Sequence, residues 1–236
     1  IGTQQLGTSV DVRGLGIAID SSNNIYLTGF TYGGLDGNTH TGGSGDKPDL
    51  FLVKYNSYGT KQWTKQLGTP SNDMGTGVAV DSSDNIYVTG YTEGGLDGNT
   101  NFGRNDIFLV KYNSSGVKQW TKQLGTSSED NGFGVAVDSS NNIYVTGETV
   151  GGLDENTQVG NGDIFLVKYN SSGTKQWTQQ LGNSSGQSGR AVTVDSSDNI
   201  YVTGDTQGGL DGQTNSGSYD IYLVKYNSSG TKQWTR

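Results

Sequence analysis

The chain has 236 residues, 39 of them Gly, with 2 Pro, no Cys, one His and a formal net charge of −8. Only 30% of the residues are apolar, yet 13 Tyr, 6 Phe and 4 Trp supply large buried area per side chain. Zero Cys excludes disulfides, thiolate catalysis and zinc fingers. The lack of any apolar run of about eighteen residues excludes a helical membrane span, and the acidic balance argues against nucleic acid and anionic membranes as partners.

Self-comparison settles most of the organisation. Trp63, Trp120, Trp177 and Trp234 recur every 57 residues, and DSS triplets begin at Asp20, Asp81, Asp138 and Asp195, at intervals of 61, 57 and 57. The extra four residues lie in the first repeat, before Asp49. Each repeat predicts four strands in order. In the second repeat these are strand a, GVAVD (Gly77 to Asp81); strand b, NIYVTG (Asn85 to Gly90); strand c, DIFLVKYN (Asp106 to Asn113); and strand d, KQWTKQLG (Lys118 to Gly125). Val, Ile, Tyr, Phe and Thr crowd these runs, as a pleated surface favours. Ser-Ser-Asp-Asn between a and b and Asn-Ser-Ser-Gly between c and d are tight-turn sequences. Strand c is apolar on both faces, so the sheet is expected between neighbours. Strand d carries Lys118 and Lys122, as suits a protected outer edge.

Four-stranded units packed face to face describe an all-β propeller, and the expectation is one domain over residues 1–236: a closed four-bladed β-propeller with four antiparallel strands per blade. Ile1 to Gln4 align with Gln62 to Lys65, and so do Gln233 to Arg236. Both ends therefore fall at the same point of strand d, as a ring closed by juxtaposed N- and C-termini requires. DSSDNIYVTGYT followed by DIFLVKYNSSGVKQW also resembles the SBBP repeat, named for seven-bladed beta-propellers and common in large bacterial surface and secreted proteins. This chain has four repeats where the name indicates seven, and GGLDGNT stands where many relatives carry a Phe-Pro segment. The resemblance implies a propeller outside the cytoplasm, extracellular or at the cell surface, and no agreed chemistry.

The b–c and d–a connections should share one end of the sheets, and they vary between repeats while the a–b and c–d turns hardly change. Drift on exposed loops accounts for this as well as function does. As a ligand face, this end would present Tyr32, Tyr91, Phe102, Phe133 and Tyr219. A second candidate is calcium. Oxygen ligands at alternate positions of a Gly-rich loop suit that ion, with Asp36 and Asn38 in the first repeat, Asp97, Asn99 and Asp106 in the second, Asp154, Asn156 and Asp163 in the third, and Asp211 and Asp220 in the fourth. The competing expectation is a loop in which Asp caps backbone amides. Asp20, Asp81, Asp138 and Asp195 are expected to stabilise their own turns, and the Asn-Ser-Ser sequons at Asn113, Asn170, Asn183 and Asn227 to be turn chemistry.

His40 is the only histidine and no nucleophile elbow, Walker loop or dinucleotide fingerprint is present, so the expectation is that the chain is not an enzyme. The leading expectation is a binding module for glycan or protein ligands, with calcium assistance. The alternative is a self-assembling structural subunit of a filament or surface layer, using exposed d strands.

Overall fold

The structure, a computed structural model, describes residues 5–43 and 46–236. Its sixteen strands form four sheets, each from four consecutive antiparallel strands. The first holds β1 (Val12–Ile19), β2 (Ile25–Thr31), β3 (Asp49–Tyr55) and β4 (Lys61–Leu67). The second holds β5 (Asp73–Val80), β6 (Ile86–Thr92), β7 (Asp106–Tyr112) and β8 (Lys118–Leu124). The third holds β9 (Asp130–Val137), β10 (Ile143–Thr149), β11 (Asp163–Tyr169) and β12 (Lys175–Leu181), and the fourth β13 (Gln187–Val194), β14 (Ile200–Thr206), β15 (Asp220–Tyr226) and β16 (Lys232–Thr235). These are the blades of a β-propeller. The chain divides into two compact units, residues 1–101 with 108–123, and residues 102–107 with 124–236. The closing role expected of Ile1 to Gln4 lies outside the described residues.

Strand a begins earlier than its residues indicated. In the second blade Asp73, Met74 and Gly75, expected in the d–a loop, pair with Thr92, Tyr91 and Gly90, and a bulge separates Gly75 from Gly77. The bulge turns a carbonyl toward strand b, which explains the glycine of TGxT. A Cβ on Gly90 would sit 1.8 Å from the Met74 carbonyl oxygen, and on Gly147 1.9 Å from that of Asn131.

Within the first unit, one face of the first blade (Tyr26, Leu50, Leu52, with Trp63 and Leu67) packs on the opposite face of the second (Val78, Ile86, Val88, Phe108, Val110). Within the second unit, Tyr144, Ile164 and Leu166 of the third blade pack in the same way on Ile200, Val202, Tyr222 and Val224 of the fourth. The inner strands approach closely, since a Cβ on Gly16 would lie 3.2 Å from the Cα of Gly77. Polar contacts tie the same interface. The Ser21 amide and hydroxyl donate to Asp84, and those of Ser139 to Asp198. Lys54 donates to the Ser114 carbonyl and Lys168 to that of Ser228.

Each blade repeats one buried polar device. Asp81 accepts the Ser83 and Asn85 amides, the Asn85 side chain and the Tyr87 hydroxyl at 2.9 Å, while Asp84 takes the left-handed turn position at φ 58. These are turn-forming aspartates, as expected. Lys54 stands 5.2 Å from the Tyr26 ring and 3.8 Å from Asp20. The c–d turns follow the same logic, with the Asn113 side chain accepting the Ser115 and Val117 amides.

Candidate functional site

The aromatic residues expected on one ligand face divide into separate environments. In the first unit Tyr32 meets Phe30 edge-on at 5.8 Å, and the Tyr91 hydroxyl donates to the Met74 sulfur. Burial, with Glu93 and Tyr32 nearby, raises the Tyr91 pKa. In the second unit Phe133 is half-buried beneath the Arg190 guanidinium, 4.9 Å from its centroid. Phe102 and Tyr219 stand exposed, at 54% and 61%.

In the structure the residues offered as calcium ligands bond to the protein itself. Asp36, Asp97, Asp154 and Asp211 all adopt positive φ (59, 54, 50 and 48), and each is held by strand d of its own blade. Asp97 accepts from Lys118 and Thr121, Asp154 from Lys175 and Thr178, and Asp211 from Lys232 and Thr235. Hydrogen bonds from Lys61 and then Thr64 lower the Asp36 pKa. Asn38, Asn99 and Asn156 turn their amide nitrogens, not their oxygens, to the carbonyls of Leu35, Leu96 and Leu153. Asp106, Asp163 and Asp220 close the far end of the loop by accepting the amides of Phe102, Val159 and Ser216. Among the described residues no three acidic or imidazole side chains come within reach of a common ion.

A polar cavity lies in the second unit, and it takes in Tyr219 of the residues expected on the ligand face. A cavity of about 180 Å³ opens where β13 and β14 meet the b–c and d–a connections, lined by Glu148, Ser188, Arg190, Asp205, Gln207 and Tyr219. Arg190 Nε donates to Asp205 at 2.7 Å. Burial raises the Glu148 pKa; Arg190 opposes the rise, and the charges of Asp205 and Glu129 add to it. A neighbouring cavity of about 490 Å³ shares Glu148 and adds Arg104 and Glu129, themselves paired at 3.1 Å. The result is a polar groove with two guanidinium groups, several carboxylates and an exposed tyrosine. Hydroxyl-rich ligands are recognised by such planar donors and acceptors beside an aromatic surface.

The signal was present in the repeats, in strand positions and not in loops. The variable residue of TGxT is Phe30, Tyr91, Glu148 and Asp205 in turn, and the bulge residue of strand a is Leu15, Thr76, Phe133 and Arg190. At the TGxT position the first unit carries the aromatic Phe30 and Tyr91, and the second the acidic Glu148 and Asp205.

Four sheets of four antiparallel strands, with sites at the ends of strands a and b, define a β-propeller. The family model described as SBBP, beta-propeller repeat, matches four times, over residues 1–36, 62–97, 119–154 and 176–211, and the chain belongs to this family. It is 28% identical over 220 residues to an uncharacterized WD repeat-containing protein of Acanthamoeba polyphaga mimivirus, covering 72% of this chain and 16% of that protein. It is 28% identical over 211 residues to the regulatory protein FlaEY of Caulobacter vibrioides, covering 77% of this chain and 22% of that protein. The chain thus spans less than a quarter of the length of either relative. Similar solved structures include a gluconolactonase from Xanthomonas campestris (11% identity, TM-score 0.49, 93% of this chain and 60% of that one) and regucalcin, a calcium-binding protein from Agrobacterium tumefaciens (11% identity, TM-score 0.38, 96% and 75%). The expectation of a non-enzyme is corrected here. Gluconolactonases are among the similar structures, and at 11% and 10% identity the likeness assigns no reaction.

Proposed function

We propose that the chain is a ligand-binding propeller module, extracellular or at the cell surface, that takes a glycan or a similarly polar group of a protein partner in the groove of its second unit. The observation that supports this reading is the cavity around Glu148, Arg190 and Asp205, with Tyr219 exposed at its edge. Arg190 and Asp205 offer a matched donor and acceptor to vicinal hydroxyls, and the part-buried Glu148 carboxyl at the same cavity offers a further polar contact. Tyr219 supplies the flat apolar surface that pyranose rings stack on.

A glycan array with the wild type, Arg190→Ala and Glu148→Gln tests the reading. Binding is expected for the wild type, with a loss of about tenfold or more in each variant. It is expected to persist in EDTA, because Asp97 and its counterparts are already held by lysines. No bound glycan or protein ligand, or binding indifferent to both substitutions, overturns it. Each bound glycan is also incubated and analysed for products, which places the groove among binding or catalytic sites.

A further inference from the structure

We infer that the glycan taken by the groove of the second unit, a reading on which this step rests, carries a primary ammonium group, the free amine of a hexosamine residue. Glu148 pairs with that group, and Ser188 and Asn161 accept its other hydrogens. The charges of the groove leave this one position open. Arg104 is paired with Glu129 at 3.1 Å and Arg190 with Asp205 at 2.7 Å, and Arg190 is further fixed over the Phe133 ring. Each guanidinium thus has its own carboxylate, and Glu148 has no ion-pair partner among the described residues. Burial, with the charges of Asp205 and Glu129, raises its pKa against the influence of Arg190. The carboxylate is short of positive charge, and a cation bound there supplies it.

Two further features point to a bound group. Ser188 is 3% exposed and lines the same cavity. Its hydroxyl faces Glu148 closely enough to favour the ionised carboxylate, but not at hydrogen-bonding geometry, so Oγ is buried without a partner. A buried hydroxyl in that state costs stability until a ligand completes it. The second feature is a pair of glycines. A parallel bridge joins Gly162 to Gly186, where the preceding junction joins Asn105 to Glu129. With no side chain on this bridge, the Glu148 carboxylate lies across Gly162, and a Cβ there would meet Oε1 at 2.5 Å. An ammonium has three donors and no acceptor, which matches Glu148, Ser188 Oγ and the Asn161 side-chain carbonyl. An N-acetyl group on the same nitrogen removes the charge and leaves one donor. Glu148 and Asn161 line both cavities of the groove, so the amine binds partway along it, as an internal sugar of an oligosaccharide requires.

Calorimetric titration with a β-linked glucosamine trimer and with its fully N-acetylated form tests this. The wild type is expected to bind the free-amine trimer at least about tenfold more tightly. Glu148→Gln keeps the shape of the side chain and removes its charge, and is expected to abolish the preference. Ser188→Ala is expected to weaken it. Glu155→Gln removes an equal charge from an exposed residue that lines neither cavity. It is expected to keep the preference, which separates the site from attraction by the net charge of −8. Circular dichroism checks that each variant folds. Equal affinity for the two trimers overturns the inference and leaves the groove reading standing, as does a preference that survives Glu148→Gln. If neither trimer binds, the inference falls, and binding of neutral glycans on the array decides the groove reading separately.

Discussion

At the scale of single residues, the aspartate that opens each a–b turn carries the largest share of local order. Asp81 is 6% exposed and Tyr87 fully buried, so removing the Tyr87 hydroxyl leaves a charged acceptor short of a partner. Tyr87→Phe is expected to cost about 1.5–3 kcal/mol by urea unfolding, and Tyr201→Phe less, since Tyr201 is half-exposed. Asp73 behaves differently. Burial lifts its pKa to about 6, against the hydrogen bonds from Thr92 and Thr69 and with help from the Asp49 charge. The folded chain therefore binds more protons at this group than the unfolded chain between about pH 4 and 6, and its contribution makes stability fall as pH rises through that window. Asp73→Asn keeps an acceptor for the Thr69 amide and is expected to flatten the dependence in pH-resolved thermal unfolding. Gln187, which accepts the Asn183 amide at the same place in the fourth blade, shows a neutral side chain filling this role.

At the scale of elements, the bulge in strand a and the glycine of strand b form one unit. Gly147→Ala is expected to destabilise by at least about 1–3 kcal/mol, since the added methyl meets a backbone carbonyl that no rotamer can move. Exposed positions of the c–d turns, such as Ser171, are expected to be near neutral in the same unfolding assay. The strands were legible because duplication prints each pattern four times and because strand c is apolar on both faces. The start of strand a was not, because Asp73-Met74-Gly75 has turn-like composition and owes its pairing to Tyr91 and Gly90 across the sheet. The candidate site was legible only in part, for a related reason. Variation in exposed loops drew attention to Phe102 and Tyr219, while Glu148, Arg190 and Asp205 vary inside strands that otherwise repeat almost letter for letter. The calcium pattern at Asp97 and Asn99 counts oxygen atoms, and it carries no sign that Lys118, twenty-one residues on, donates to the Asp97 carboxylate.

At the scale of the whole molecule, protection should follow the covering of blade faces. Amide exchange is expected to be faster in β1 and β15 than in β6 and β10, which hold more buried side chains. Fourfold repetition of the strands was plain in the residues; the uncovered faces were not, because Ile221 and Ile107 read alike until their surroundings are known. The repetition also gives the protein a built-in optical gauge. Each blade holds one tyrosine against one tryptophan, with ring centres at 6.0, 6.0, 6.0 and 6.1 Å. At that separation light absorbed by the tyrosine leaves as tryptophan emission. Loss of a single blade would restore tyrosine fluorescence from one pair and leave the other three silent. One emission spectrum would thus count the folded blades.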